Sequence, residues 1–125
     1  MHFLSIELYN YGIYKGKHII SLSDQDGGKN ITLVGGMNGR GKTTILDSIF
    51  LCLYGRKSTE YITGKKEAYN KLLKDHINKS AEDKSSHIKL IMEMDDDKDT
   101  IITVTRAWKM NGKKIDTTLQ VEKNG

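Results

Sequence analysis

Two hydrophobic periods alternate along this chain, and together they draw most of its elements. From Phe3 to Tyr9, Leu4, Ile6 and Leu8 fall on one side and Phe3, Ser5, Glu7 and Tyr9 on the other. That period of two describes a strand with one buried face. Asn10-Tyr11-Gly12 interrupts it, and Tyr14-Lys15-Gly16-Lys17 reads as a turn-like link. His18 to Leu22 reads as a second strand, so an antiparallel hairpin or meander is expected at the start of the chain. The polar run Ser23 to Asn30, with Gly27-Gly28, reads as a loop. Ile31-Thr32-Leu33-Val34 is short, apolar and β-branched, the form of a buried strand.

From Thr43 to Tyr54 the period becomes helical. Ile45, Leu46, Ile49, Phe50 and Leu53 recur at helical spacing and are expected inside, with Gly55 as the C-cap. Arg56 to Gly64 reads as a polar loop. Lys65 to Ser80 reads as a second helix with Tyr69, Leu72, Leu73, His76 and Ile77 on one face. Glu67 with Lys71 and Asp75 with Lys79 have the spacing of favourable helical ion pairs. Ala81 to Ser86 reads as a polar link. Alternation then returns from His87 to Met94, with Ile88, Leu90, Met92 and Met94 on one face. Asp95 to Asp99 reads as an acidic turn, Thr100 to Trp108 as a strand, Asn111-Gly112 as a hairpin turn and Asp116 to Val121 as a last strand. No linker divides the chain, so residues 1–125 read as a single domain or part of one.

The candidate chemistry sits between the third expected strand and the first expected helix. Gly36, Gly41, Lys42 and Thr43 occupy every fixed position of the pattern G-x-x-x-x-G-K-[ST], in the strand–loop–helix context the pattern needs. A triphosphate must be held without its water. Consecutive backbone amides and the positive end of a helix dipole do that, and glycines let the backbone approach. The nucleotide-binding candidates are Gly36, Met37, Asn38, Gly39, Arg40, Gly41, Lys42, Thr43 and Thr44. Asn38 to Thr44 are expected to wrap the phosphates, with Lys42 at the β- and γ-phosphates as the catalytic candidate. The Thr43 hydroxyl is expected to ligate Mg²⁺ and Thr44 to serve the α-phosphate. The motif speaks for nucleotide binding and says little about what the nucleotide is used for.

Composition changes this picture only slightly. The 125 residues are 37% hydrophobic and 29% charged, enough for a modest core. Net charge is +4 with pI near 9.1, which permits a polyanionic partner without demanding one. There is no long apolar run for a membrane helix, and the opening residues lack the core of a signal peptide. The lone Cys52 rules out an internal disulfide and suits a reducing compartment, so a cytoplasmic setting without membrane partners is expected. Its apolar neighbours make it a buried structural thiol. His2, His18, His76 and His87 show no metal-ligand spacing. Leu90 to Asp97 has the outline of a Walker B strand ending in metal-binding acids. Lys89, Glu93 and the alternation speak instead for a half-buried strand and a plain acidic turn. Arg106 and Trp108 share a strand face, as a packing pair or as an aromatic and cationic surface. Lys65, Lys66, Lys71, Lys74, Lys79 and Lys84 form a solvated helix face or a DNA-facing patch.

With these residues in view, the chain resembles the N-terminal ATP-binding segment of the SMC-like ABC ATPases of DNA recombination and repair. The resemblance rests on Tyr11-Gly12-Ile13-Tyr14 followed by Lys15-Gly16-Lys17, and on Asn38-Gly-Arg-Gly-Lys-Thr-Thr-Ile-Leu-Asp-Ser-Ile49 with its Leu46-Asp47. Within that group the chain looks most like the DndD family of DNA phosphorothioate (sulfur) modification, through Gly35 to Gly39, Leu51-Cys-Leu-Tyr-Gly55 and Arg106-Ala-Trp108. The resemblance implies an α/β P-loop NTPase of ABC/SMC-head type. It would have an N-terminal lobe with a mixed sheet, a P-loop helix and an antiparallel β meander. It implies ATP and Mg²⁺ as cofactors, and places Tyr14 and Lys15 near the base or ribose, where a plain turn role competes. It further implies DNA, other proteins of a sulfur-modification system, the C-terminal lobe of a longer parent chain and an ATP-dependent head dimer as partners. A Q-loop, a signature motif and a convincing Walker B are missing from these residues. The chain is therefore expected to be one lobe of a head, inactive alone. A self-contained small P-loop kinase, and an assembly module with a structural nucleotide site, are the competing readings.

Overall fold

The computed structural model describes residues 2–22, 39–59, 62, 69–94 and 100–124, the side chains of 39–44 excepted. The expected strand Ile31–Val34, the loop Ser23–Asn30, the acidic segment Asp95–Asp99 and the start of the second helix lie outside them.

Strand β1 (His2–Tyr11) pairs antiparallel with β2 (Tyr14–Ser21) through a two-residue turn, Gly12-Ile13. Gly12 has φ 57°, a left-handed conformation that glycine adopts without steric cost. The expected link Tyr14–Lys17 is instead strand: Tyr14 pairs with Tyr11 and Lys17 with Tyr9. The lysines there sit on a strand at the edge of the sheet among the described residues, where charge is tolerated, so they did not signal pairing. Strand β3 (Ser85–Glu93) lies on the other side of β1, followed by β4 (Ile101–Asn111) and β5 (Lys114–Lys123). The order is β2-β1-β3-β4-β5. All neighbours among these five strands are antiparallel, so the expected mixed sheet is not seen among the described residues.

Helix α1 (Gly39–Tyr54) starts earlier than Thr43 and ends at Gly55, whose φ of 57° matches the expected C-terminal glycine. A short 3-10 turn, Gly55–Ser58, opens the expected polar loop. Helix α2 (Tyr69–Asp75) follows. It stops short of the expected Ser80. Gly12 N–H donates to the His76 carbonyl at 2.7 Å, and Asn78 N–H to the Asn10 carbonyl at 2.7 Å. The β1–β2 turn thus takes the backbone groups that would continue the helix, and Ile77 forms a bridge with Tyr11. Asp75 and Lys79 consequently do not share a helix, and the expected pair loses its geometry.

One sheet face carries Ile6, Leu8, Ile88, Leu90, Met92, Val104 and Trp108, all buried. Ile45, Ile49, Leu51 and Cys52 of α1 and Leu72 and Leu73 of α2 belong to the same core. Leu46, Phe50 and Leu53, expected inside, are only half-buried. The small Ser48 and Cys52, both fully buried, face inward in their place and let the helix approach closely. Met94 is likewise only half-buried and lies just past the end of β3. On the opposite sheet face His87 Nε2–H donates to Glu7 Oε2 at 2.6 Å and the His87 ring stacks on Tyr9 at 5.1 Å.

Asn10 ties these parts together. It sits at a β-bulge with φ 50°, a region that asparagine tolerates and other side chains resist. Its side-chain oxygen accepts from Gly16 N–H at 2.7 Å, and its carbonyl also accepts from Ser86 Oγ at 2.7 Å. Asn10→Ala should therefore destabilise the fold by about 2–3 kcal/mol in urea titrations, from the backbone region and the lost side-chain bond to Gly16 together. Asn10→Gly relieves the backbone and should lose about half as much; equal losses would contradict this account.

Candidate nucleotide-binding site

Helix α1 carries the expected phosphate loop at its start and is seated by contacts at its other end. Cys52 Sγ–H points at the carbonyls of Val104 and Ile88, at 3.5 and 3.7 Å, so the helix lies across β3 and β4. Arg106 Nε–H donates to the Cys52 carbonyl at 3.2 Å and its Nη1 reaches the Tyr69 hydroxyl at 3.5 Å. A cation there complements the negative end of the helix dipole. Gly55 leaves room for it, since a Cβ would stand 2.9 Å from the guanidinium. Trp108, 2% exposed, donates its indole N–H to the Leu73 carbonyl at 2.9 Å. Arg106 and Trp108 are thus the packing pair anticipated from their shared face, each holding one helix end.

At the loop end, the backbone of Gly39 to Thr44 forms the opening turns of α1. The first amides of a helix have no partner within it. No acidic side chain stands in that first turn to repel an anion. These features fit a polyphosphate. Gly36, Met37 and Asn38 lie outside the described residues, as do the side chains of Arg40, Lys42, Thr43 and Thr44. Among the described residues no cluster of His, Cys, Asp or Glu is built to hold a metal ion.

Tyr14 and Lys15 open β2. The Tyr14 ring lies 5.1 Å from His18, its hydroxyl is buried without a hydrogen-bond partner, and burial raises its pKa. The Lys15 carbonyl accepts from His18 Nε2–H at 2.9 Å. These two contacts stay within the hairpin, and the Tyr14 ring also packs against the core. The Walker B outline is not supported by β3, whose burial alternates strictly along its length.

A group that the sequence did not bring together lies beneath α1. Asp47 is half-buried, and burial raises its pKa while the nearby His76 lowers it. The Tyr11 ring stacks on His76 at 5.3 Å and meets Trp108 edge-on at 6.0 Å. Burial first, and the charge of Asp47 second, push the Tyr11 hydroxyl up, and that hydroxyl has no hydrogen-bond partner. Nothing in the local pattern around Tyr11 or His76 announces this meeting.

A family model described as an AAA domain (AAA_23) matches residues 5–124. The chain belongs to the AAA domain family. Membership carries the P-loop and ATP binding with it, and the match spans α1, α2 and all five strands but the first residues of β1. No curated protein matches the chain. No described helix of this AAA domain is long and apolar enough to cross a membrane.

Two measurements probe the seat of α1. Asp47 has a folded-state pKa above its unfolded value of about 4. Its contribution to stability is therefore fully present below that value and lost as pH rises through the folded one. Asp47→Asn should raise the melting temperature at neutral pH and leave it nearly unchanged near pH 3; the same shift at both pH values would contradict the assignment. Burial pushes the Cys52 thiol up to about 11. Alkylation at pH 8, followed by mass spectrometry, should be at least about 100-fold slower in the folded chain than in urea.

Proposed function

We propose that this AAA domain is the nucleotide-binding segment of an SMC-like ATPase head that acts on DNA, of the DndD type found in phosphorothioate modification. One observation carries the reading. The P-loop pattern, with Asn38 before it and Leu46-Asp47 behind it, opens a helix seated on an antiparallel sheet formed by strands on both sides of the motif. The family match supports the coarser reading of an ATP-binding AAA domain. The motif residues and Tyr11-Gly12-Ile13-Tyr14 support the finer one.

In this reading the amides from Asn38 to Thr44 take the phosphate oxygens, and the positive end of the α1 dipole adds to their field. Lys42 supplies a mobile cation to the β- and γ-phosphates, where charge develops as the terminal phosphoryl group departs. The Thr43 hydroxyl would hold Mg²⁺, which when bound neutralises charge between those phosphates. Gly36, Gly39 and Gly41 keep Cβ atoms away from the phosphates. Met37 and Arg40 occupy variable positions of the loop and contribute backbone. Tyr14 and Lys15 are placed towards the base or ribose by resemblance alone. Positioning of the attacking water falls to a C-terminal lobe and a second head clamped across the nucleotide. ATP binding is thereby coupled to head engagement and DNA handling.

Lys42→Ala should abolish measurable ATP binding in titration calorimetry, because the triphosphate loses its cation. Unchanged affinity would refute the site. Turnover assays check the division of labour. Hydrolysis is expected only when the chain is joined to a C-terminal lobe, and phosphoryl transfer to a small acceptor by these residues alone would overturn it.

A further inference from the structure

The lysines around α2 do not stand alone. Two hydrogen bonds bring them against the tip of the β4–β5 hairpin, far away in sequence. The indole N–H of Trp108 holds the Leu73 carbonyl at 2.9 Å, pinning the end of α2 over β4. Met110 N–H donates to the Lys84 carbonyl at 2.9 Å, fixing the approach to β3 beside the same hairpin. The resulting cleft, about 630 Å³, is lined by Lys71, Lys74, Lys113 and Lys114. It adjoins a second cleft of about 430 Å³ that shares Lys74 and adds Lys79 and Lys84. Lys84 Nζ donates to the Lys79 carbonyl at 3.4 Å, which keeps it at the rim. Among the described residues lining either cleft, Asp75 is the one carboxylate.

We propose that this groove between α2 and the β4–β5 turn docks the phosphate backbone of duplex DNA. Gathering like charges weakens a fold, and an anionic partner offsets that repulsion. The chemistry selects the partner further. Every cation among the described residues lining the clefts is lysine, which meets phosphate as a point charge without the fork that reads a guanine edge. Among the described residues no aromatic ring lines either cleft, so none of them stacks unpaired bases there. A groove of lysines without rings suits continuous backbone and leaves base sequence unread. The partner agrees with the DNA-acting role proposed above, and the assignment rests on that role only for its biological setting. Binding is measured without ATP, so a failed nucleotide site and a failed groove are separate results.

The test is fluorescence anisotropy of the 125-residue chain with a labelled 30-bp duplex of arbitrary sequence, across a salt series. Engagement of the four lysines of the larger cleft predicts a slope of about −3.6 in log K against log salt, or about a 10²-fold loss between 50 and 200 mM. Lys74→Gln with Lys113→Gln should make the slope shallower by about 2 and weaken binding about tenfold. Lys74→Arg with Lys113→Arg should retain it. Lys89→Gln with Lys123→Gln, outside the groove, should leave slope and affinity unchanged. Absence of duplex binding at 50 mM salt would overturn the proposal. So would an equal loss in the outside pair, tighter binding to a single strand, or binding to anionic lipid vesicles in place of DNA.

Discussion

Close seating of one helix on two strands is the constraint on which the rest depends. Ser48 and Cys52 replace larger side chains at the centre of the contact, and both are fully buried. Ser48 Oγ–H is satisfied by the Ile45 carbonyl at 2.6 Å, and the Cys52 thiol points at strand carbonyls. Arg106 then holds the helix end through the Cys52 carbonyl, in space that only glycine leaves at position 55. A helix of 16 residues is a rigid rod. Fixing its far end on β3 and β4 fixes the direction in which its opening amides point. The opening turns of α1 are thus oriented by residues at its other end.

A second, polar junction orders the other end of the molecule. Asn10, Gly12 and Asn78 exchange backbone and side-chain hydrogen bonds, including Asn78 Nδ2–H to the Gly12 carbonyl at 2.9 Å. Buried backbone groups need such partners, and here they come from a turn far away in sequence. The same junction ends α2 early and turns the following residues towards β3. Between these two junctions lie Tyr11 and, on α1, Asp47, and burial raises the pKa of both groups.

Much of this was legible because it is local. Alternation at Ile88, Leu90 and Met92 located β3, and the helical spacing of Ile45 and Ile49 located α1. Gly55 announced a helix end, and Gly112, with φ 64°, a hairpin turn. The burial of Cys52 followed from its apolar neighbours. Where local pattern failed, a competing interaction won. Charge at Lys15 and Lys17 hid an edge strand. Half-burial of Leu46 and Phe50 reflects a helix rotated onto its small residues. The P-loop itself was read from spacing, and its nucleotide contacts remain with the proposal.

The periods, the turn glycines and the spacing of the phosphate loop are written locally along the chain, because each depends on residues within a few positions of one another. Tertiary structure alone decided the strand order β2-β1-β3-β4-β5, the end of α2 at Asp75 and the placing of Arg106 against Cys52. It also decided which lysines share a groove. Those outcomes depend on which distant donors satisfy which carbonyls, and no window along the chain contains both partners.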